Sequence, residues 1–480
     1  MHKKDKATIE FISHSAEGVA GSCNKIEYRD KVVLVDFGLI QEGKTIYENY
    51  KFNSSFLKKI KPQKIDAIVI THLHADHCAL LPYLYKEGLC SAPIYMAKNS
   101  SKIAREMLID CATIMERDAE TLTQQKEKQY DPIFTVADVE KCLPHIIEVN
   151  PFEELEISDG LTIKFIPNAH ILLSQSCLMT FDTSPVKKTV YFSGDLGNIQ
   201  TLDWKFYLED FTPIEKCNYA ICESTYGLPS RRNTKKDFLT DMKKMETVIR
   251  QFCLDCHGRV LIPTFSLDRM SFFMWLLYNI FKDDESFKIP ILIDSPLAIR
   301  LLHCYEEILE GDKKEQYQEM MAWKNFKFIV EPDASRAAIE DKDPKVILAS
   351  SGMITAGRSV YWSKSVIQRA NDCFLICGFC APGTLGSKIR DDKTNKTISI
   401  CGKSYPNRAA IVNLTSFSSH MQHQDLVDYY SSIHCDKILL VHGEEDAKLA
   451  LKKDVEEAIH KNMRTTKVVA VNKSTKLNIE

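Results

Sequence analysis

The sequence predicts an α/β protein in which a strand-rich domain is interrupted by a second α/β domain built on a parallel sheet. Three observations predict it. Short β-branched runs ending in glycine or polar residues dominate the first part of the chain. After Gly227, apolar strands alternate with helical stretches, the pattern of strands buried on both faces of a parallel sheet. Strands then resume toward the C-terminus.

Length agrees, because 480 residues exceed one ordinary core and suggest two or three domains. The 44% hydrophobic and 26% charged content is the balance of a globular chain. A formal net charge of −3 gives no general basic field, so nucleic-acid binding would need a local patch or a metal. No apolar run approaches the roughly 20 residues that span a bilayer, and no membrane association is expected. The opening "MHKKDKATIEFISHSAEG" has no apolar segment behind its basic residues, so no signal peptide is read there. Sixteen cysteines without an export signal read as reduced thiols of a cytoplasmic protein.

The elements follow in order. "KVVLVDFG", "IDAIVITH", "APIYMA", "LTIKFIPNAH", "KTVYFSGDLG" and "NYAICESTYG" read as strands. A helical stretch from Ser100 to Val149 interrupts them, with "KIAREMLIDCATIMERDAETLTQQ" its clearest amphipathic piece. "FLTDMKKMETVIRQFCLDCHG" reads as a helix closing on Gly258. In the inserted part, "GRVLIPTFS", "IPILIDSP", "FKFIVE", "PKVILASSGM" and "CFLICGFCAPG" are strands, and "DRMSFFMWLLYNIF" and "LAIRLLHCYEEILEG" are helices. "TISICGKSYPNRAAIVNLTSFSSH", "KILLVHGEEDAKLALKKDVEEAI" and "TKVVAVNKSTKLNIE" complete the chain. The Cys253-Leu-Asp-Cys256-His257 and Cys377-Gly-Phe-Cys380 spacings match haem-attachment and thioredoxin-like patterns, and both are read as coincidence. The basic run Arg231–Lys236 reads first as a solvated domain junction and second as a phosphate-steering patch.

The chemistry gathers at strand ends. "THLHADH" places His72, His74, Asp76 and His77 within six residues after an apolar strand. His72 and His74 can face one point, and Asp76 and His77, past the turn, a second. Imidazole and carboxylate ligands suit zinc and similar divalent ions. His170, Asp195 and His442 each close another apolar run, so one sheet edge collects all these residues.

This constellation resembles the metallo-β-lactamase superfamily, with His72-Leu-His74-Ala-Asp76-His77 as its central signature and Asp36 in "VLVDFG" as the aspartate that braces the metal site. The inserted domain, together with Glu223 in "ICESTYG", His420 in "SFSSHMQHQDL" and His442 in "LLVHGE", resembles the β-CASP group of nucleases, of the prokaryotic RNA-metabolising type. "LIPTFSLDR", "DSPLAIR", "ASSGMITAGR" and "FCAPGTLGSK" are similar to stretches of that inserted domain. The resemblance implies an αββα sandwich with an inserted β-CASP domain whose parallel sheet is Rossmann-like. It implies domains at 1–225, 226–395 and 396–480, the first and last forming the sandwich.

The resemblance also implies roles. His72, His74 and His170 hold one zinc and Asp76, His77 and His442 the other, with Asp195 bridging. His420 contacts the scissile phosphate and serves as general acid, oriented by Glu223, and Ser418 meets a phosphate. A histidine at 442 resembles the RNA-processing members. The implied reaction is hydrolysis of single-stranded RNA by hydroxide activated between two zinc ions, and manganese could replace zinc. A narrow cleft between domains would admit one strand, and "ASSGM" and "GTLG" offer amides and hydroxyls for phosphates. A homodimer is left open. Three other readings remain: a DNA nuclease, a small-molecule hydrolase on the same fold, and a non-catalytic RNA-binding subunit. One departure stands out. The family's third motif commonly reads Gly-His before a small glycine-containing loop, and here it is Ala169-His170-Ile171-Leu172-Leu173.

Overall fold

The computed structural model describes residues 6–43, 45–183, 186–378, 380–381, 383–391 and 396–479. The chain divides into two compact units. The first is Met1–Ile199, Leu208–Arg232 and Ser419–Glu480, and the second is Gln200–Tyr207 and Asn233–Ser418.

Among the described residues the first unit has two seven-stranded sheets. One runs, edge to edge, Lys476–Ile479, Ala7–Phe11, Asn24–Tyr28, Lys31–Val35, Ala67–Val69, Ile94–Ala97 and Ile146–Val149. The other runs Lys467–Ala470, Lys437–Val441, Tyr219–Glu223, Lys187–Phe192, Gln175–Asp182, Leu161–Pro167 and Glu154–Ser158. Ile9, Val33 and Val69 of the first sheet join Phe165, Met179, Phe192 and Leu439 of the second in one buried cluster, so the sheets stack face to face. The outer face of the second sheet, with Tyr191, Ala220 and Leu440, packs on Leu426 and Tyr430 of helix His423–Ser432 and on Leu451 and Val455 of helix Glu445–Lys461. The interior strands Ala67–Val69 and Ile94–Ala97 are buried on both faces, which explains their unbroken apolar sequence.

The second unit is a six-stranded sheet, ordered Phe326–Phe328, Ile291–Asp294, Lys345–Ala349, Arg259–Pro263, Cys373–Ile376 and Ala410–Asn413, with every neighbouring pair parallel. Its helices begin where the sequence signals a start. Ser295 caps helix Pro296–Ile308 with proline at the first turn, and Thr234 and Asp237 form a reciprocal capping box on helix Lys235–Arg250. The expected α/β architecture is therefore present, sandwich and parallel-sheet unit alike.

Some details differ from the sequence reading. The helical stretch ends at Cys142, and Ile146–Val149 is an edge strand, because Pro144 stops the helix and the following residues find a sheet partner in Ile94–Ala97. The strand Ala410–Asn413 pairs with Cys373–Ile376, so the chain returns to the first unit at Ser419, later than the 395/396 boundary read from the sequence. Residues 392–395, next to that boundary, lie outside the described residues, as do Phe379 and Pro382 of "FCAPGTLGSK".

All sixteen cysteines are free thiols. Cys253 is buried and donates to the Lys345 carbonyl, and Cys377 and Cys380 are buried as well, which fits a structural reading of both spacings. Arg231–Lys236 straddles the point where the units divide, with Arg231 over the Tyr226 ring and Lys235 paired with Asp203.

Candidate metal centre and active site

The strand Ala67–Val69 runs out at Ile70, and the chain turns through His74 into a one-turn helix, Ala75–Cys78. The turn aims the histidines in two directions. His72 Nε2 and His170 Nε2 each stand 3.2 Å from His74 Nδ1. Tetrahedral zinc with nitrogen ligands at about 2.0–2.1 Å would hold those nitrogens about 3.3 Å apart, so the three imidazoles are spaced as ligands of one small cation. Asp195 Oδ2 completes the group, 3.7 Å from His72 Nε2 and 3.8 Å from His170 Nε2.

Asp76, His77 and His442 make a second group. His442 Nε2 lies 3.4 Å and His77 Nε2 3.9 Å from Asp76 Oδ2. Asp195 Oδ1 turns to this side, 3.4 Å from His77 Nε2 and 3.3 Å from His442 Nδ1. One carboxylate thus shows one oxygen to each group. The donor chemistry and spacing fit divalent cations on both sides.

The surroundings fix these side chains. Asp36 accepts from His77 Nδ1 at 2.8 Å and from Thr71 N and Oγ1 at 2.8 to 3.1 Å. It therefore sets both the tautomer of His77 and the end of the strand that carries His72. The backbone beyond Asp36 presses on the motif, with Phe37 N donating to His77 O and Leu39 N to Ala75 O. A Cβ at Gly38 would fall 1.6 Å from Asp76 O, so only glycine fits there. Ser22 Oγ reaches His77 Nε2 at 3.3 Å, and Thr225 Oγ1 lies 2.9 Å from His442 Nδ1. Nothing in the sequence singled out Thr71, Thr225 or Ser22, although each adjoins a residue that was singled out in sequence or in space.

The departed third motif keeps its backbone shape. Ala169 has φ +59° and Leu173 φ +64°, the left-handed region that glycine adopts freely. Ser174 Oγ accepts from His170 N and Ile171 N and donates to Asn168 Oδ1, which braces the turn. Ile171 and Leu172 fold inward and are buried. Asp36 and His442 also sit at positive φ, 61° and 51°. Left-handed backbone thus occurs at and beside the ligand-bearing residues, as it does at turns elsewhere in the chain.

His420 reaches the same edge by an antiparallel bridge to Gly197, two residues after Asp195. Its Nδ1 lies 3.3 Å from Glu223 Oε1, and its ring is 4.6 Å from that of His170. Glu223 also accepts from Leu196 N through Oε1 and from Thr225 N through Oε2. Asp195, Glu223 and His442 lie within ligand distance of one another as a third trio, but Glu223 already spends its oxygens on these donors. Ser418, partly exposed, ends the second unit two residues before His420.

The electrostatics follow from the crowding. Burial pushes the His72 pKa well down, as does the nearby His77, leaving a neutral imidazole suited to a metal. Burial likewise lowers His74. Burial opposes ionisation of Asp195, yet His442, His77 and His72 hold its carboxyl well below the usual range. Burial also disfavours the His420 cation, but Glu223 and then Asp195 outweigh it and raise this imidazole above its ordinary value.

Fold and site together define a metal-binding αββα sandwich with an inserted parallel-sheet domain. The metallo-β-lactamase superfamily model matches residues 16–205, the Beta-Casp domain model residues 273–389, and the Zn-dependent metallo-hydrolase RNA specificity domain model residues 404–466. The chain belongs to the β-CASP group of the metallo-β-lactamase superfamily, and its site takes divalent metal. It is 28% identical to Ribonuclease TTHA0252 of Thermus thermophilus, over 92% of this chain and 94% of that one. It is 26% identical to Transcription termination factor FttA of Methanococcus maripaludis, over 90% of this chain and 66% of that one. A crystal structure of a protein of unknown function from Enterococcus faecalis V583 shares the fold at a TM-score of 0.54 and 11% identity, covering 99% of this chain and all of that one.

Proposed function

We propose that the protein is a metal-dependent ribonuclease that hydrolyses phosphodiester bonds of single-stranded RNA in RNA processing or decay. The observation that carries the reading is the pair of His/Asp groups sharing Asp195, with the Glu223-backed His420 beside them. The resemblance to ribonucleases and the RNA-specificity match at 404–466 support RNA as substrate. We assign two zinc ions, one to His72, His74, His170 and Asp195 and one to Asp76, His77, His442 and Asp195, with manganese as the replacement.

Two such cations, when bound, supply charge neutralisation for the scissile phosphate and an activated water nucleophile. The chain's own residues do the rest. His420 Nε2 gives its proton to the leaving oxygen, while Glu223 holds Nδ1 and favours the charged ring. Asp36 keeps His77 in the tautomer whose Nε2 faces the cluster. Ser418 Oγ binds a substrate phosphate. A cytoplasmic location, consistent with sixteen free thiols, and a homodimer belong to the same proposal. No helix among the described residues is long and apolar enough to cross a membrane.

The test is cleavage of end-labelled single-stranded RNA beside DNA of the same sequence, with Asp76→Ala as control and metal content measured on both proteins. RNA cut only by the unmodified protein, with two metals per chain, supports the reading. Two bound metals with neither polymer cut would sink it.

A further inference from the structure

Helix Ile46–Leu57 of the first unit has two unlike faces. One buries Asn53, Phe56 and Leu57. The other carries Tyr47, Tyr50, Lys51, Ser54 and, at the C-cap, Lys58, a spacing that aligns them along about 16 Å of one helix face. Tyr130 joins this face, its ring 6.2 Å from Tyr47 and 5.4 Å from Tyr50, both edge-on. Lys126 and Lys51 stand over the Tyr47 ring at 4.9 and 5.5 Å.

Along the helix and the turn after it the charge is one-sided, while exposed Glu127 and Asp131 stand beside Lys126 and Tyr130. Between Glu48 and Asp66 the chain has no acidic residue and five lysines: Lys51, Lys58, Lys59, Lys61 and Lys64. All five are exposed. In a chain of net charge −3 this is a local cationic field, the patch that the overall balance would require for nucleic-acid binding. The face is also held firmly to the metal edge. Asn53 accepts from Ile40 N and donates to Ile40 O, and the Phe56 ring lies 5.7 Å from Phe37, the residue whose N–H bonds His77 O.

We infer that the Tyr47–Tyr50–Tyr130 face, with the lysines from Lys51 to Lys64 and Lys126, binds single-stranded RNA away from the reacting phosphate. This rests on the ribonuclease reading. The Tyr47 ring already carries Lys51 and Lys126, so Tyr50 and Tyr130 are the rings that offer stacking surface any base can use, and the lysines meet phosphates without reading sequence. A duplex keeps its bases stacked on each other and cannot use the rings, so the surface selects unpaired strands. A strand seated here is tied to a fixed position relative to Asp76 and His77.

The experiment uses the metal-loaded full chain and two substrates: an oligouridine about twenty nucleotides long, and bis(p-nitrophenyl) phosphate, too small to touch the metal edge and this helix together. The variants are the combined Lys51→Gln, Lys58→Gln, Lys59→Gln protein and Tyr50→Leu. The lysine variant should raise KM for oligouridine about tenfold at moderate salt, and its log KM should depend less steeply on log salt by about 2. Tyr50→Leu should raise the same KM about tenfold with its salt dependence kept. Neither should change kcat on oligouridine or the hydrolysis of the small diester. Unchanged KM and salt slope in variants that still cut RNA would overturn the inference, as would a Tyr50→Leu protein that only melts earlier. An unmodified protein that hydrolyses the small diester but not oligouridine would overturn the ribonuclease reading itself, and this inference with it.

Discussion

His420 is the residue on which proton delivery depends in the proposed reaction. Its folded pKa is raised, so it keeps the proton it donates to a higher pH than an ordinary imidazole and loses it as pH climbs through that raised value. The rate should therefore fall on the alkaline side. Glu223→Gln removes the carboxylate that supports the cation, and the alkaline limb of kcat should move to lower pH. His420→Ala should lower kcat by about 10²–10⁴ with metal content intact. A pH–rate series on the three proteins checks this, and an unmoved limb in Glu223→Gln would refute the orienting role. The ligand-type residues were legible at this scale because several coordinating side chains at the ends of apolar runs form a pattern. Thr71, Thr225 and Ser22 were not, since a single hydroxyl has no spacing to betray it and its partner lies far along the chain.

At the scale of elements, the joint between helix Ile46–Leu57 and the Asp36 loop decides how firmly one side of the site is held. The fully buried Asn53 amide satisfies both the N–H and the carbonyl of Ile40. Asn53→Ala would leave both backbone groups buried and unsatisfied, at a cost of about 2–4 kcal/mol. The urea midpoint should drop accordingly, and metal affinity should weaken because the loop leads back through Phe37 to His77. An unfolding free energy within about 0.5 kcal/mol of the unmodified protein's would refute the joint. The buried central strands were readable as unbroken apolar runs. Edge strands such as Glu154–Ser158 were not, because half of their residues face water and their composition looks like loop. The strand Ala410–Asn413 could be seen as a strand, but an apolar run does not say which sheet it will join.

For the molecule as a whole, the paired ligand groups bring His72, His77, His170 and His442, from distant parts of the sequence, onto one edge of the sandwich. Metal binding to that edge is binding to the folded state alone, so it adds to stability by mass action. Chelation should lower the melting temperature by the equivalent of about 2.7 kcal/mol or more if free metal had stood at a hundred times its Kd. Re-addition of zinc should restore it. A melting temperature indifferent to chelator would refute the coupling of metal to fold.

The strand Lys437–Val441 pairs directly with Tyr219–Glu223, yet the larger part of the second unit, Asn233–Ser418, lies between them in the chain. A ribosome makes the first partner long before the second. Until then, the edge of Tyr219–Glu223 has no neighbour on that side and the metal edge lacks His442. The growing chain therefore carries an open sheet edge that invites aggregation, and a metal site one ligand short. In the proposed assignment, the nuclease is disarmed while the inserted domain is being made, and arms itself only once the segment that carries His442 has followed.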